Sequence, residues 1–265
     1  LFRSGISSTS IMTNLAEKGE IEKLRRILQI SNFSAGVHLN LTLGSALTGP
    51  NSLTDSQGSF FKYPVLINRL LKSRICFADI ISEFTAQINQ ALKVGIEPEH
   101  VDSHQNIHAF PQIFLALCKC ARQNKIRAMR THRRYFVSIP CQKNWHPTNA
   151  RSFFKPTIAN LYAAFSRIWG ILMPRYMVES TSAGWKTSFN LWRIVLENLP
   201  KKQCEIFVHP GYISDNLATQ TRYVDQREME LKSLMELPKF IADRKTDIRL
   251  ISYRELLCGN KLNFL

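Results

Sequence analysis

With 265 residues and a hydrophobic fraction of 45%, the chain is long enough to bury a core of ordinary size without disulfide or metal staples. Its 35 basic and 20 acidic side chains give a formal charge of +15, which permits contact with nucleic acid, anionic lipid or acidic glycan. The basic residues are dispersed, as in Lys23-Leu24-Arg25-Arg26 and Arg130-Thr131-His132-Arg133-Arg134, and no RNA- or DNA-binding signature accompanies them, so a solvated basic surface is expected and no nucleic-acid partner.

No uncharged apolar run approaches the ~20 residues of a membrane-spanning helix. The nearest, residues 157–173, is broken by Arg167. The opening residues do not read as a basic-then-apolar leader. The six cysteines are scattered and include no Cys-x-x-Cys pair, which argues against a disulfide framework and against cysteine-held structural zinc. A soluble, cytoplasmic protein without a transmembrane segment is the expectation.

Strand-like and helix-like segments alternate, which predicts an α/β fold with a mainly parallel sheet. Residues 7–12 read as a strand. Residues 15–28 follow as a helix, with Glu17, Glu20 and Glu22 early and Arg25 and Arg26 late, as the helix dipole prefers. Residues 35–43 form the next strand, and the Gly/Ser/Asn/Thr/Pro-rich segment 44–61 a loop. Residues 63–71 and 77–93 read as helices, the second with an apolar stripe of Ile80, Ile81, Phe84, Ile88 and Leu92.

The segment 99–104 reads as a strand, Pro111 opens a helix, and 125–129 is a further strand. Residues 131–152 show no period and are expected to be a long loop. Residues 153–173 read as an aromatic-rich helix that belongs to the core. Residues 185–197 and 227–237 read as helices, 204–208 and 248–252 as strands. No internal repeat or linker appears, so one domain over 1–265 is expected.

Chemistry concentrates in His100-Val101-Asp102-Ser103-His104-Gln105-Asn106-Ile107-His108. On a strand, alternation places His100, Asp102 and His104 on one face. His38 sits on another short apolar strand, behind Gly36 and Val37, and His209 closes a third. Histidines from different strand ends with a carboxylate beside them suit an open metal site, where Asp102 could accept a ring N–H and fix a ligand's tautomer. His108, four residues past His104, has the spacing of one helix face. Taken singly, each reads more readily as an ordinary polar residue at an element end, because such residues are common there; the joint pattern reverses that and favours a site.

Three blocks, Gly36-Val37-His38-Leu39-Asn40-Leu41-Thr42, His100 through Pro111, and Phe207-Val208-His209-Pro210-Gly211-Tyr212, closely resemble the YdjC-like (ChbG/HpnK) carbohydrate deacetylases. Segments around 7–12, 58–62 and 223–231 extend the similarity over about 5–255. The resemblance implies a distorted (β/α) TIM-like barrel and a divalent metal, Mg²⁺ or Zn²⁺. It implies hydrolysis of the N-acetyl group of N-acetylglucosamine-containing saccharides or glycolipids.

By the same resemblance, His38 and His104 would be metal ligands and His108 a ligand or site residue. His209 would be the general acid that protonates the departing amine, and Arg130 would bind substrate or stabilise the oxyanion. Asp102 would orient a ligating histidine. The metal would polarise the carbonyl and acidify a water whose proton a carboxylate takes. The sequence leaves the oligomeric state open, with a homodimer among the expectations.

The sequence departs from that pattern twice. Members begin with a strand ending in Asn-Ala-Asp-Asp-Phe-Gly, which supplies a metal-binding aspartate and a base; nothing like it precedes Leu1. A chain truncated at its N-terminus, lacking the first strand and impaired in activity, is therefore expected. Asn106 stands where relatives often carry histidine, and asparagine ligates zinc poorly. The alternatives are a non-catalytic carbohydrate- or glycolipid-binding relative, and a basic protein docking on anionic surfaces.

Overall fold

Each strand of the first half is a short apolar run cut off by a turn, and each helix carries one apolar stripe, so strand and helix must alternate to bury both. The computed structural model describes residues 5–30, 32–139, 155–180, 184–213, 224–243 and 247–259. They fall into two compact units.

The larger unit comprises Ser8–Arg130, Tyr162–Met173 and the described residues from Ile251 on. Its elements run β1 (Ser8–Ile11), α1 (Lys18–Ile30), β2 (Ser34–Leu39), α2 (Tyr63–Leu71), α3 (Phe77–Lys93), β3 (His100–Ser103), a 3₁₀ segment (His104–Ala109), α4 (Pro111–Gln123) and β4 (Ala128–Met129). The strands form one parallel sheet in the order β1-β2-β3-β4. One face is apolar: Val37, Leu39, Val101 and Met129 are fully buried in a core with Ile80, Phe84 and Ile88 of α3 and Ile113 and Leu117 of α4.

Local chemistry explains the boundaries. Pro111 occupies the first turn of α4, where its missing N–H costs nothing. The end of α3 is closed by Gly95 at φ +76°, with Gly95 N–H donating to Leu92 O and Ile96 N–H to Ala91 O. β2 stops at Leu39 rather than running to 43, because the Asn40 side chain accepts the N–H groups of Thr42 and Leu43 and bends the chain. β3 likewise stops at Ser103, one residue short of His104.

The other unit comprises the described residues of the segments before Ser8, from Thr131 to Leu161 and from Pro174 to Leu250. It holds a second parallel sheet, β5 (Arg134–Val137), β6 (Tyr176–Ser180) and β7 (Cys204–Glu205), in that order. α6 (Phe189–Glu197) and α7 (Asp225–Asp243) pack on it through Trp192, Val195, Leu234, Leu237 and Phe240. α5 (Lys155–Ile168) precedes β6, and α8 (Tyr253–Gly259) belongs to the larger unit.

Several boundaries differ from the sequence expectation. Within the stretch 131–152, expected to be a loop, residues 134–137 pair with β6; a strand of four residues, two of them arginine-flanked aromatics, is specified by its partner and not by its own period. Residues 140–152 lie outside the described residues, as do Phe153 and Phe154 of the aromatic helix. That helix ends at Ile168 rather than 173, because Gly170 takes φ +73° and Leu172 bridges Ala128. Residues 248–252 make no strand, and α7 reaches Asp243 through Pro238. The fold is mixed α/β with parallel sheets, and among the described residues no closed barrel is detected. No described helix is long and apolar enough to cross a membrane.

Candidate active site

The face of the first sheet opposite the helices is polar, and the register shows why. Gly36 pairs with His100, which pairs in turn with Ala128, and one pleat further on His38 pairs with Asp102, with Arg130 immediately following Met129 of β4. Arg130 N–H donates to Val101 O and so continues the ladder past β4. Three neighbouring strands thus deliver imidazole, carboxylate and guanidinium in one lateral row at their C-terminal ends, which is where parallel α/β sheets place ligands.

Asp102 is the centre of that row. It is fully buried; its Oδ1 lies 2.9 Å from His38 Nδ1 and its Oδ2 2.6 Å from Arg130 Nη1. Burial alone would favour the neutral acid. The Arg130 guanidinium and His38 outweigh it and hold the carboxyl well below the usual carboxylate range. An ionised Asp102 can only accept, so Nδ1 of His38 carries a proton, and in the neutral form of the ring Nε2 then holds the lone pair.

His104 opens the 3₁₀ segment just past β3, and its ring stands edge-on to His38 with centroids 5.6 Å apart. Burial, with His38 beside it, lowers its pKa from 6.5 to about 4 against the pull of Asp102, so it is neutral at pH 7. The turn that follows is strained: Gln105 and Asn106 both take left-handed backbone, at φ 54° and 52°. Asparagine tolerates that conformation better than most residues, which gives Asn106 a backbone reason for its place. The same two residues break the helical spacing between His104 and His108.

His108 is buried, and its Nδ1 bonds to Ser103 Oγ at 2.5 Å while its N–H also donates to that oxygen at 3.1 Å. Alternation along β3 puts Ser103 on the opposite face from Asp102, so this contact draws His108 away from the row. His100 shares the polar face one pleat below, is 3% exposed, and stacks on Tyr253 at 4.0 Å between ring centroids. Burial lowers its pKa to about 4. A Cβ on Gly36 would lie 2.5 Å from the His100 ring and from its carbonyl, so only glycine lets that ring lie across β2. Neither Tyr253 nor the packing role of Gly36 was expected; glycine inside an apolar strand is the signal that points to such a close approach.

His209 belongs to the other unit. Its N–H donates to Oε2 of buried Glu230 at 2.6 Å, and its ring stands edge-on to Phe207 at 5.6 Å. Among the described residues no group of three or more His, Cys, Asp and Glu side chains is arranged to hold a metal ion. The His38–His104 pair offers two imidazoles, one with its Nδ1 directed at Asp102, which fits two ligands of a divalent ion and not a complete coordination shell.

Parallel strands that present histidine, aspartate and arginine at their C-terminal ends define a class of α/β protein with an open, cation-compatible polar site. Within that class the chain belongs to the YdjC-like protein family, which matches residues 1–241. A carbohydrate deacetylase of Clostridium beijerinckii is 25% identical over 96% of this chain and 91% of its own length. A carbohydrate deacetylase of Vibrio parahaemolyticus is 33% identical over 86% and 76%. A chitooligosaccharide deacetylase of Yersinia enterocolitica is 39% identical over 43% and 44%. The crystal structure of a candidate cellobiose-phosphate cleavage protein from Enterococcus faecalis superposes with a TM-score of 0.71 at 23% identity, over 96% of this chain and 89% of that one, and shares the fold. Carbohydrate deacetylation is the activity for which the relatives are named.

Proposed function

We propose that this chain is a metal-dependent amidohydrolase that removes the N-acetyl group from N-acetylglucosamine-containing saccharides or glycolipids. The observation that carries the reading is the position of Asp102 between His38 and Arg130, which turns Nδ1 of His38 to the carboxylate and leaves its other ring nitrogen for a ligand, beside a neutral His104. His38 and His104 would hold a divalent ion, Mg²⁺ or Zn²⁺, which when bound supplies Lewis-acid polarisation of the amide carbonyl. Arg130, held by Asp102 and 13% exposed, donates to the tetrahedral oxyanion; one such donor is worth about 3–4 kcal/mol. The family resemblance assigns to His209 the role of general acid toward the departing amine. The distorted barrel implied by the family resemblance is part of the same reading.

Arg130 and His38 hold Asp102 ionised well below the usual carboxylate range, which makes it a weak base toward water. With that role unfilled by Asp102, we propose that this chain is slower than the Clostridium beijerinckii relative. The test is acetate release from chitooligosaccharides with Mg²⁺ or Zn²⁺, read beside Zn²⁺ binding by calorimetry. His38→Ala and His104→Ala should each abolish metal-dependent release and weaken Zn²⁺ binding; unchanged release in either variant overturns the assignment. The commitment of Asp102 also favours a second reading, a carbohydrate-binding relative without catalysis. Saturable chitooligosaccharide binding with no acetate release at any metal concentration would select it.

A further inference from the structure

Helix α3 carries two polar side chains on its buried face, Glu83 and Gln87, both fully buried and one turn apart. Buried polar groups survive in a core only with partners, and these have a full set. Gln87 Oε1 accepts the backbone N–H of Asn40 at 2.9 Å, and Gln87 Nε2 donates to the backbone carbonyl of the same residue at 2.7 Å. One side-chain amide thus makes both hydrogen bonds that a neighbouring strand would make, just where β2 loses its strand partners.

Glu83 fixes which way that amide faces. Its Oε1 accepts from Gln87 Nε2 at 2.7 Å and from Leu47 N–H at 3.2 Å; its Oε2 accepts from Thr48 N–H at 3.0 Å and Thr48 Oγ1 at 2.7 Å. A carboxylate used by four donors has no place for a second oxygen beside it, so the NH₂ of Gln87 must face it and the oxygen must face Asn40 N–H. The Asn40 side chain then sets the following turn. Its Oδ1 accepts from Thr42 and Leu43, and its Nδ2 donates to Leu43 O at 2.6 Å and to Asn14 Oδ1 at 3.2 Å. The loop after β1, the end of β2 and the 44–61 loop are therefore joined to α3 through one chain of buried bonds.

Asn40 is two residues past His38 on β2, so whatever fixes its peptide groups fixes the strand end that carries the His38 ring. We infer that Glu83 and Gln87 are positioning residues for His38: they hold the end of β2 so that Nδ1 stays on Asp102 and Nε2 stays presented. This rests on the reading of His38 as a metal ligand, but its first readout needs no metal. A further hydrogen bond between α3 and the loop, Ser52 N–H donating to Asp79 Oδ2 at 3.0 Å, does not reach Asn40 and serves as the control.

Long-range ¹H–¹⁵N spectra of the metal-free protein at neutral pH report the His38 tautomer directly. The wild type and Asp79→Asn should show a single Nδ1–H form. Gln87→Leu and the near-isosteric Glu83→Gln should show mixed tautomers and a weaker Zn²⁺ affinity, by up to the 10- to 100-fold that removing a ligand's direct outer partner costs. Glu83→Gln carries the test if Gln87→Leu does not fold. A single Nδ1–H form and wild-type Zn²⁺ affinity in the folded variants overturns the inference. A wild type with the fixed tautomer but no acetate release or Zn²⁺ binding, beside variants with mixed tautomers, upholds the positioning role and removes the deacetylase reading instead.

Discussion

On one face of the first sheet Val37, Leu39, Val101 and Met129 lie in a dry core; on the other, Gly36, His38, Asp102 and Arg130 occupy the alternate positions of the same strands. The apolar face depends on volume, and many packings of similar volume would serve it. The polar face depends on single atoms, because each oxygen of Asp102 has one named partner and each partner has one orientation. Neighbouring residues one position apart should therefore fail in different ways when changed. Stability should report the apolar face, and cation affinity should report the polar one.

The largest effect is expected at Asp102. Asp102→Ala removes the acceptor between two nitrogenous groups and leaves the Arg130 guanidinium, 13% exposed, without its counter-charge. Breaking a buried pair in this way costs about 3–5 kcal/mol, toward the lower end here because Arg130 and His38 keep some solvent. Loss of the partner that orients His38 should weaken Zn²⁺ binding 10- to 100-fold. Urea unfolding and calorimetric titration check the two halves. A variant that loses stability yet binds Zn²⁺ as the wild type does would show that the row is a structural ion pair only.

Positions 39 and 36, on opposite faces of β2, sharpen the contrast. Leu39→Ala empties a site at 0% exposure and should cost about 2–5 kcal/mol while leaving the Zn²⁺ affinity of the folded protein within a few-fold of wild type. Gly36→Ala adds one carbon on the polar face, 2.5 Å from the His100 ring, and should cost about 1–3 kcal/mol as overpacking. Tyr253 backs that ring, so it has little room to retreat. Denaturant midpoints of the two variants give the comparison.

Much of this face was legible beforehand, for a physical reason. The two-residue period of a strand put His100 and Asp102 together, and strand ends in a parallel sheet put His38 beside them. Sequence could not say that Asp102 would serve His38 on the next strand and not His104 on its own, because register is a tertiary fact. Nor could it show that His104 lies past the strand, in a turn held by two left-handed residues. Short strands such as β5 and β6 escaped because four or five residues carry no readable period and gain their conformation from each other. Glu83 and Gln87 escaped for the opposite reason: a polar residue on a helix reads as solvent-facing unless its burial is known.

The last comparison separates the faces by acid. His100 and His104 titrate near pH 4 in the fold and near 6.5 when unfolded, chiefly because burial disfavours their charged forms. Below pH 6.5 the unfolded chain therefore binds more protons than the native one. The stability these neutral rings contribute is fully present above 6.5 and is lost as the pH falls from 6.5 to 4, at up to about 1.4 kcal/mol per pH unit for each histidine. Asp102 has a depressed pKa, so its contribution is present above its unfolded value of 3.8 and fades only below it, outside the histidine window. Urea unfolding at a series of pH values between 7.5 and 4 measures the slope. His100→Phe keeps a ring on Tyr253 but carries no proton, so it should flatten the slope by the share of one histidine. Leu39→Ala, which alters only the apolar face, should lower stability equally at every pH and leave the slope unchanged; a changed slope there would mean that the two faces are coupled.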